Sequence, residues 1–111
     1  MGIQNWSETV ILVDLPAEPQ IGDELKAVTE IVCDKGDIDV VIDFSSVDII
    51  TSSSISALLK LRKLLVDCQR RLVFCNVPAA TKSVFTVTGI DEIFEFVDDK
   101  FVALASLQMV N

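Results

Sequence analysis

Short aliphatic runs alternate along this chain with longer stretches in which apolar side chains recur every three or four positions. Residues 9–13 (TVILV) are β-branched and brief, and residues 14–20, with Pro16 and Pro19, turn the run into a loop. In residues 21–32 the apolar positions Ile21, Leu25, Val28 and Val32 are spaced four, three and four apart, a helical stripe with Lys26, Thr29 and Glu30 turned outward. Gly36 punctuates its end, and Val40, Val41 and Ile42 between Asp39 and Asp43 form a continuous apolar run suited to a strand covered on both faces. Residues 55–68, rich in Leu, Ala, Lys and Arg and free of Gly and Pro, predict a second helix just after the hydroxyl run Thr51, Ser52, Ser53 and Ser54. Residues 71–75 (RLVFC) give another strand of the buried type. Pro78 opens a third helical segment that runs through Thr88 and closes at Gly89. Residues 93–97 (IFEFV) alternate like a half-covered strand, and the acidic pair Asp98 and Asp99 leads into a last helix over residues 101–109. Strand followed by helix, four times over, predicts an α/β fold: one domain over residues 1–111, with a central mixed sheet, parallel in its middle, and about four packed helices.

Composition narrows the function classes. The 111 residues are half hydrophobic, enough for one core. Nine Lys and Arg against seventeen Asp and Glu leave a net charge of -8, which repels nucleic-acid backbones and anionic membranes. The chain contains no His, which removes His-based acid/base and nucleophilic constellations and most familiar zinc or iron sites. Cys33, Cys68 and Cys75 are odd in number and far apart, so neither a disulfide framework nor a CxxC pair is present, as suits a reducing cytosol. All three lie in apolar segments and are expected to be buried and inert. No basic stretch followed by an apolar one opens the chain, no apolar run nears the roughly 20 residues that span a bilayer, and Trp6 stands where a myristoylation signal has Ser or Thr. A soluble, uncleaved cytoplasmic chain without membrane insertion is the expectation.

The hydroxyl run is the first place to look for function, because open α/β sheets display ligand and partner surfaces at the carboxyl ends of their strands. A hydroxyl before an apolar helix caps free backbone N–H groups, and the helix dipole favours a negative group there. Capping needs one hydroxyl, worth about 1 kcal/mol. The other three are either solvated or belong to a phosphorylation or anion site. On the following helix Ile55, Ala57, Leu58, Leu59, Leu61, Leu64, Leu65, Val66 and Cys68 cover an arc of roughly 220° at 100° per residue, wider than one sheet-facing stripe needs. Part of that arc is therefore expected at the surface. Arg62 falls inside it, either laying its stem over the core or marking an interface. Five of the nine basic residues lie between Lys60 and Arg71, whereas residues 1–59 hold eleven acids against Lys26 and Lys35, so an acidic side and a mildly basic one are expected.

Residues 40–43, followed by Val47, Asp48, Ile49, Ile50, Thr51, Ser52, Ser53, Ser54, Ile55, Ser56 and Ala57, resemble the signature of the STAS family of anti-sigma-factor antagonists. That signature has an aliphatic strand and then Asp-Ser-Ser/Thr-Gly-Leu-Gly at a helix start. Residues 72–78 (LVFCNVP) and 84–90 (VFTVTGI) are similar to the family's later strand, turn and helix, so the resemblance extends over nearly the whole chain. It implies a regulatory protein-protein interaction module. In the family a partner kinase phosphorylates the first serine of the signature, Ser52 here with Ser53 as second choice, and the unphosphorylated protein binds an anti-sigma factor. The implied docking surface comprises Thr51, Ser52, Ser53, Ser54, Ile55, Ser56, Leu59 and Arg62. Thr51 replaces the signature Asp, and Ser54 and Ser56 replace its two glycines. Similar departures occur in stressosome-type STAS scaffold proteins, and a solitary STAS domain also serves as a subunit of lipid-transport complexes, so other STAS proteins are alternative partners.

An enzyme is not expected. Asp43, Asp48 and Glu18 could gather near the strand ends, but loop carboxylates are usually solvated and neither a His nor a nucleophile-base pair accompanies them. No P-loop is present, and no basic residue stands beside the hydroxyl run, so neither a nucleotide nor any other cofactor or metal is implied.

Overall fold

The computed structural model describes residues 2–108. The β-branched runs form strands, and the runs of 3.6-residue period form helices between them, in the order β1 (Gly2–Asn5), β2 (Val10–Asp14), α1 (Ile21–Lys35), β3 (Asp39–Asp43), α2 (Ser52–Asp67), β4 (Leu72–Cys75), α3 (Ala79–Val87), β5 (Glu95–Val97) and α4 (Lys100–Gln108). Sheet order follows chain order, β1-β2-β3-β4-β5, with β2 to β5 parallel and β1 antiparallel to β2. Each parallel step needs a crossover, which α1, α2 and α3 provide in turn.

Strand residues alternate between two cores. Ile11, Val13, Val40, Ile42, Leu72 and Phe74 face α1, α2 and α3, while Val10, Leu12, Val41, Val73 and Cys75 face Ala103, Leu104 and Leu107 of α4. The continuous apolar runs in β3 and β4 reflect this double coverage. On the three-helix side Phe74 packs among Phe44, Phe85, Phe94 and Phe96 with ring centroids 4.6 to 6.0 Å away. α1 buries Ile21, Leu25, Val28 and Val32, the stripe read from its spacing, and ends at Gly36 in the left-handed conformation (φ 67°).

Several expectations need correction. β1 was not anticipated, and the expected strand over residues 93–97 is shortened to Glu95–Val97 because residues 91–93 form a turn that tucks Phe94 into the core. α2 starts at Ser52 rather than Ile55, so the three serines form its first turn. The expected end of the last helix at Met109 lies outside the described residues. Cys75 is buried, but Cys33 and Cys68 are exposed. Cys33 follows Val32 and so sits about 100° off the buried stripe, and Cys68 lies just beyond the end of α2. Among the described residues no helix is long and apolar enough to cross a membrane.

Candidate functional site

The loop from β3 to α2 is pinned before it reaches the helix. Phe44, Val47 and Ile50 insert into the core. Asp43, at the end of β3, is itself buried: Oδ1 accepts the Ser45 N–H and hydroxyl, and Oδ2 accepts from Asn76 Nδ2 at 3.2 Å. Between these anchors Ile49 is turned outward and is 71% exposed, an apolar side chain three positions before Ser52.

Thr51 is the N-cap of α2. Its backbone is extended (φ -91°, ψ 162°), and its Oγ1 accepts the Ser54 N–H at 3.2 Å. Glu18, on the loop between β2 and α1, reaches the same turn. Its Oε2 accepts the Thr51 N–H at 2.9 Å and the Ser54 hydroxyl at 2.8 Å. In a capping box a carboxylate within the helix reaches back to the N-cap N–H; here a residue 33 positions earlier does so. The Thr51 hydroxyl donates to Ser54 Oγ at 3.2 Å and lies 3.1 Å from Ser53 Oγ. A hydroxyl has one proton to give, so the chain of donors runs from Ser53 to Thr51 to Ser54 to Glu18. Burial pushes the Glu18 carboxyl up, but the hydrogen bonds from the Thr51 N–H and the Ser54 hydroxyl outweigh it, and the group lies below its ordinary value.

Ser52 stands outside this chain of hydroxyls. It is exposed at the first helical position, beside exposed Thr51 and Ser53, with Ser56 exposed one turn on. Ser54, expected on the docking surface, is instead only 2% exposed and bound to Glu18, because as the third helical residue it turns under the cap. Ile55 and Leu59 are half-buried against the core. Arg62 lies roughly 15 Å along the helix from Ser52 at 1.5 Å per residue. Its Nε donates to the Ile93 carbonyl at 2.9 Å, so it is tied to the turn before β5 rather than gathered at the serine turn.

Glu18, Asp43 and Asp48 do not combine. Glu18 serves α2, Asp43 serves Ser45 and Asn76, and Asp48 is exposed. Among the described residues no three His, Cys, Asp or Glu side chains are placed to hold a metal ion. The band of cations between Lys60 and Arg71 is interleaved with acids: Lys63 pairs with Asp67, Arg70 with Asp37 and Asp39, and Arg71 with Glu95 through two hydrogen bonds of 3.0 and 2.6 Å.

Residues 20–102 match the STAS domain family. The chain belongs to that family. Similar solved structures include an anti-sigma-factor antagonist (STAS) domain protein from Planctomyces limnophilus, 22% identical over 97% of this chain and 99% of that one, with a TM-score of 0.83. The Bacillus cell fate determinant SpoIIAA in its phosphorylated form is 13% identical over 95% of this chain and 96% of its own, with a TM-score of 0.72. RsbS from Moorella thermoacetica is 15% identical over 97% and 96% of the two chains, with a TM-score of 0.76. At these identities the likeness shows the shared fold. No curated protein matches the chain.

Within the STAS fold the serine turn occupies the carboxyl end of the sheet, where the β2–α1 and β3–α2 loops meet because β2 and β3 are parallel neighbours. Thr51 stands where the signature has Asp, and Glu18 brings a carboxylate to the same turn from the adjacent loop. The serine-run spacing pointed to the turn. Glu18, expected near the strand ends only as a solvated carboxylate, is instead bonded to Thr51 and Ser54, because parallel pairing of β2 with β3 places its loop beside the turn. Ile49 was missed because an isolated Ile between a buried Val47 and a buried Ile50 reads as core.

Proposed function

We propose that this chain is an anti-sigma-factor antagonist that acts by binding rather than by catalysis, docks through the exposed first turn of α2, and is switched off by phosphorylation of Ser52. The observation that carries the reading is the state of Ser52: exposed at the helix start, and outside the hydrogen bonds that engage Thr51, Ser53 and Ser54. An anti-sigma factor that is also a serine kinase would transfer the γ-phosphoryl group of ATP to Ser52 Oγ, with the hydroxyl proton passing to a base on the kinase and ADP leaving. The product carries about two more negative charges at a helix N-terminus, which tolerates them. The fold therefore persists while the docking surface changes. A partner face that covers Ile49 and a neutral Ser52 hydroxyl would then have to bury a solvated dianion, at a cost of several kcal/mol.

The test is a pull-down from source-cell lysate with the full chain as bait, partners and bait phosphorylation being read together by mass spectrometry. It is followed by titration calorimetry of the recovered partner with the Ser52→Ala and Ser52→Asp variants. The expected partner is a serine-kinase-like anti-sigma factor that binds the alanine variant and not the aspartate variant. Equal affinity for both sinks the switch. The substitutions at Thr51, Ser54 and Ser56 favour a second reading, a scaffold within an assembly of STAS proteins, which recovery of other STAS proteins in a large particle with unmodified Ser52 would support.

A further inference from the structure

The β2–α1 loop is anchored at both ends and once between them, with Pro16 buried beside Leu15 and the Gln20 N–H donating to the Ala17 carbonyl at 3.1 Å. Leu15 is buried and its N–H donates to the Asp43 carbonyl at 3.1 Å, Ile21 is buried at the start of α1, and between them Glu18 is bonded to Thr51 and Ser54 of α2. Ala17, Pro19 and Gln20 are exposed. The middle of the loop is thus tied to the serine turn by one carboxylate.

We propose that Glu18 is the second half of the switch: it latches the β2–α1 loop onto the unmodified serine turn, and a phosphate on Ser52 expels it and frees residues 17–20 from α2. The inference rests on Ser52 being the modified residue. A helix N-terminus favours an anion, and in the unmodified chain Glu18 is that anion, accepting the Thr51 N–H directly. Ser52 is the next residue, so its phosphate arrives at the same end of the helix. The dianion brings three acceptor oxygens of its own to the backbone donors there and repels the carboxylate. The chain carries no Lys or Arg from residue 36 to residue 59, so neither the β3–α2 loop nor the first two turns of α2 supplies a cation to offset the pair. The phosphate is bonded covalently to the turn and the carboxylate is not, so the carboxylate leaves. A partner spanning both loops meets two changes rather than one: a charge at Ser52, and a loop that no longer presents a fixed surface beside it.

The experiment uses the full chain with phosphoserine inserted at position 52 during translation, so no kinase is needed. Amide hydrogen exchange at Thr51, Ala17, Glu18 and Gln20 and the 13C titration of the Glu18 carboxyl are compared with the unmodified chain, and both chains are also made with Glu18→Gln. The expected result is loss of Thr51 amide protection by about ten-fold or more in the phosphoserine chain. The Glu18 carboxyl should move upward in its titration and the signals of residues 17–20 should shift. A glutamine side chain at position 18 can still accept the Thr51 N–H and bears no charge, so the phosphorylated Glu18→Gln chain should keep its protection. Unchanged Thr51 protection in the phosphoserine chain overturns the latch, as does an equal loss in the Glu18→Gln background, which would make the effect local to the phosphate. If the partner is lost on phosphorylation while the loop stays in place, the latch fails and the antagonist reading stands. If the loop is freed and partner affinity is unchanged, the latch stands and the antagonist reading fails.

Discussion

Cys75 and Glu18 are both titratable groups near the carboxyl end of the sheet, and their surroundings push them in opposite senses relative to neutral pH. Burial, reinforced by the nearby carboxylates of Asp43, Asp99 and Asp14 and only partly offset by Lys100, pushes the Cys75 thiol up to about 12. A thiolate is the reactive form, so Cys75 should resist alkylation at pH 8 while exposed Cys33 and Cys68 react. Mass spectrometry of iodoacetamide-treated folded protein should show two modifications, with the third added only in denaturant; prompt labelling of Cys75 would mean that the core opens there. Glu18 is depressed below its ordinary 4.5, its hydrogen bonds outweighing burial. A group whose folded value is lowered contributes stability that is present above the unfolded value and is lost as pH falls through the folded one. The wild-type chain should therefore exceed Glu18→Gln in urea stability at pH 7, and the difference should shrink as pH falls below 4.5 through the lower folded value. A difference that stays constant or widens on acidification would refute the charged latch at this residue.

Among the elements, β1 shows how much an edge strand can depend on its neighbour. Gly2, Gln4 and Asn5 give no β-branched signal, and only Ile3 turns towards the core, opposite Val13. Pairing with β2 nevertheless covers a row of backbone donors and acceptors that would otherwise face outward. A chain beginning at Ser7 should keep the helical circular-dichroism signal yet associate through the bared edge of β2, growing with concentration in light scattering; a stable monomer would show that this edge is protected by other means. The same contrast explains what was legible beforehand. β3 and β4 were readable because double coverage demands unbroken apolar runs, and α1 because one stripe of four residues carries its packing. β1 was not, since tertiary pairing rather than propensity makes it a strand. The start of α2 was misplaced because serines favour caps over helix interiors, and here Thr51 takes the cap while Ser54 turns inward to a carboxylate on another loop. The position of the candidate site was legible in the hydroxyl run, but its electrostatics were not. Those depend on Glu18, which only the parallel adjacency of β2 and β3 brings within reach.

For the whole molecule, the question is whether two cores on one sheet make one folding unit. The larger core gathers three helices and the phenylalanine cluster, and the smaller rests on α4 alone, through Ala103, Leu104 and Leu107. Independent melting would require strands that survive with one face bare. β3 and β4 are too short for that. Val41 faces α4 and Ile42 the other side, and Val73 and Phe74 divide in the same way, so removing either layer exposes half of every central strand. The two cores should therefore unfold together. Leu104→Ala, on the small side, should lower global stability by about 2–5 kcal/mol, and Phe74→Ala, on the large side, by about 3–5 kcal/mol. In both variants, amides of α4 and of α1 should lose exchange protection at a common denaturant midpoint, as a two-state domain requires. An α4 that loses protection at lower urea than α1 in the Leu104→Ala chain would show instead that the fourth helix is a separable layer, able to detach while the sheet still holds the serine turn in place.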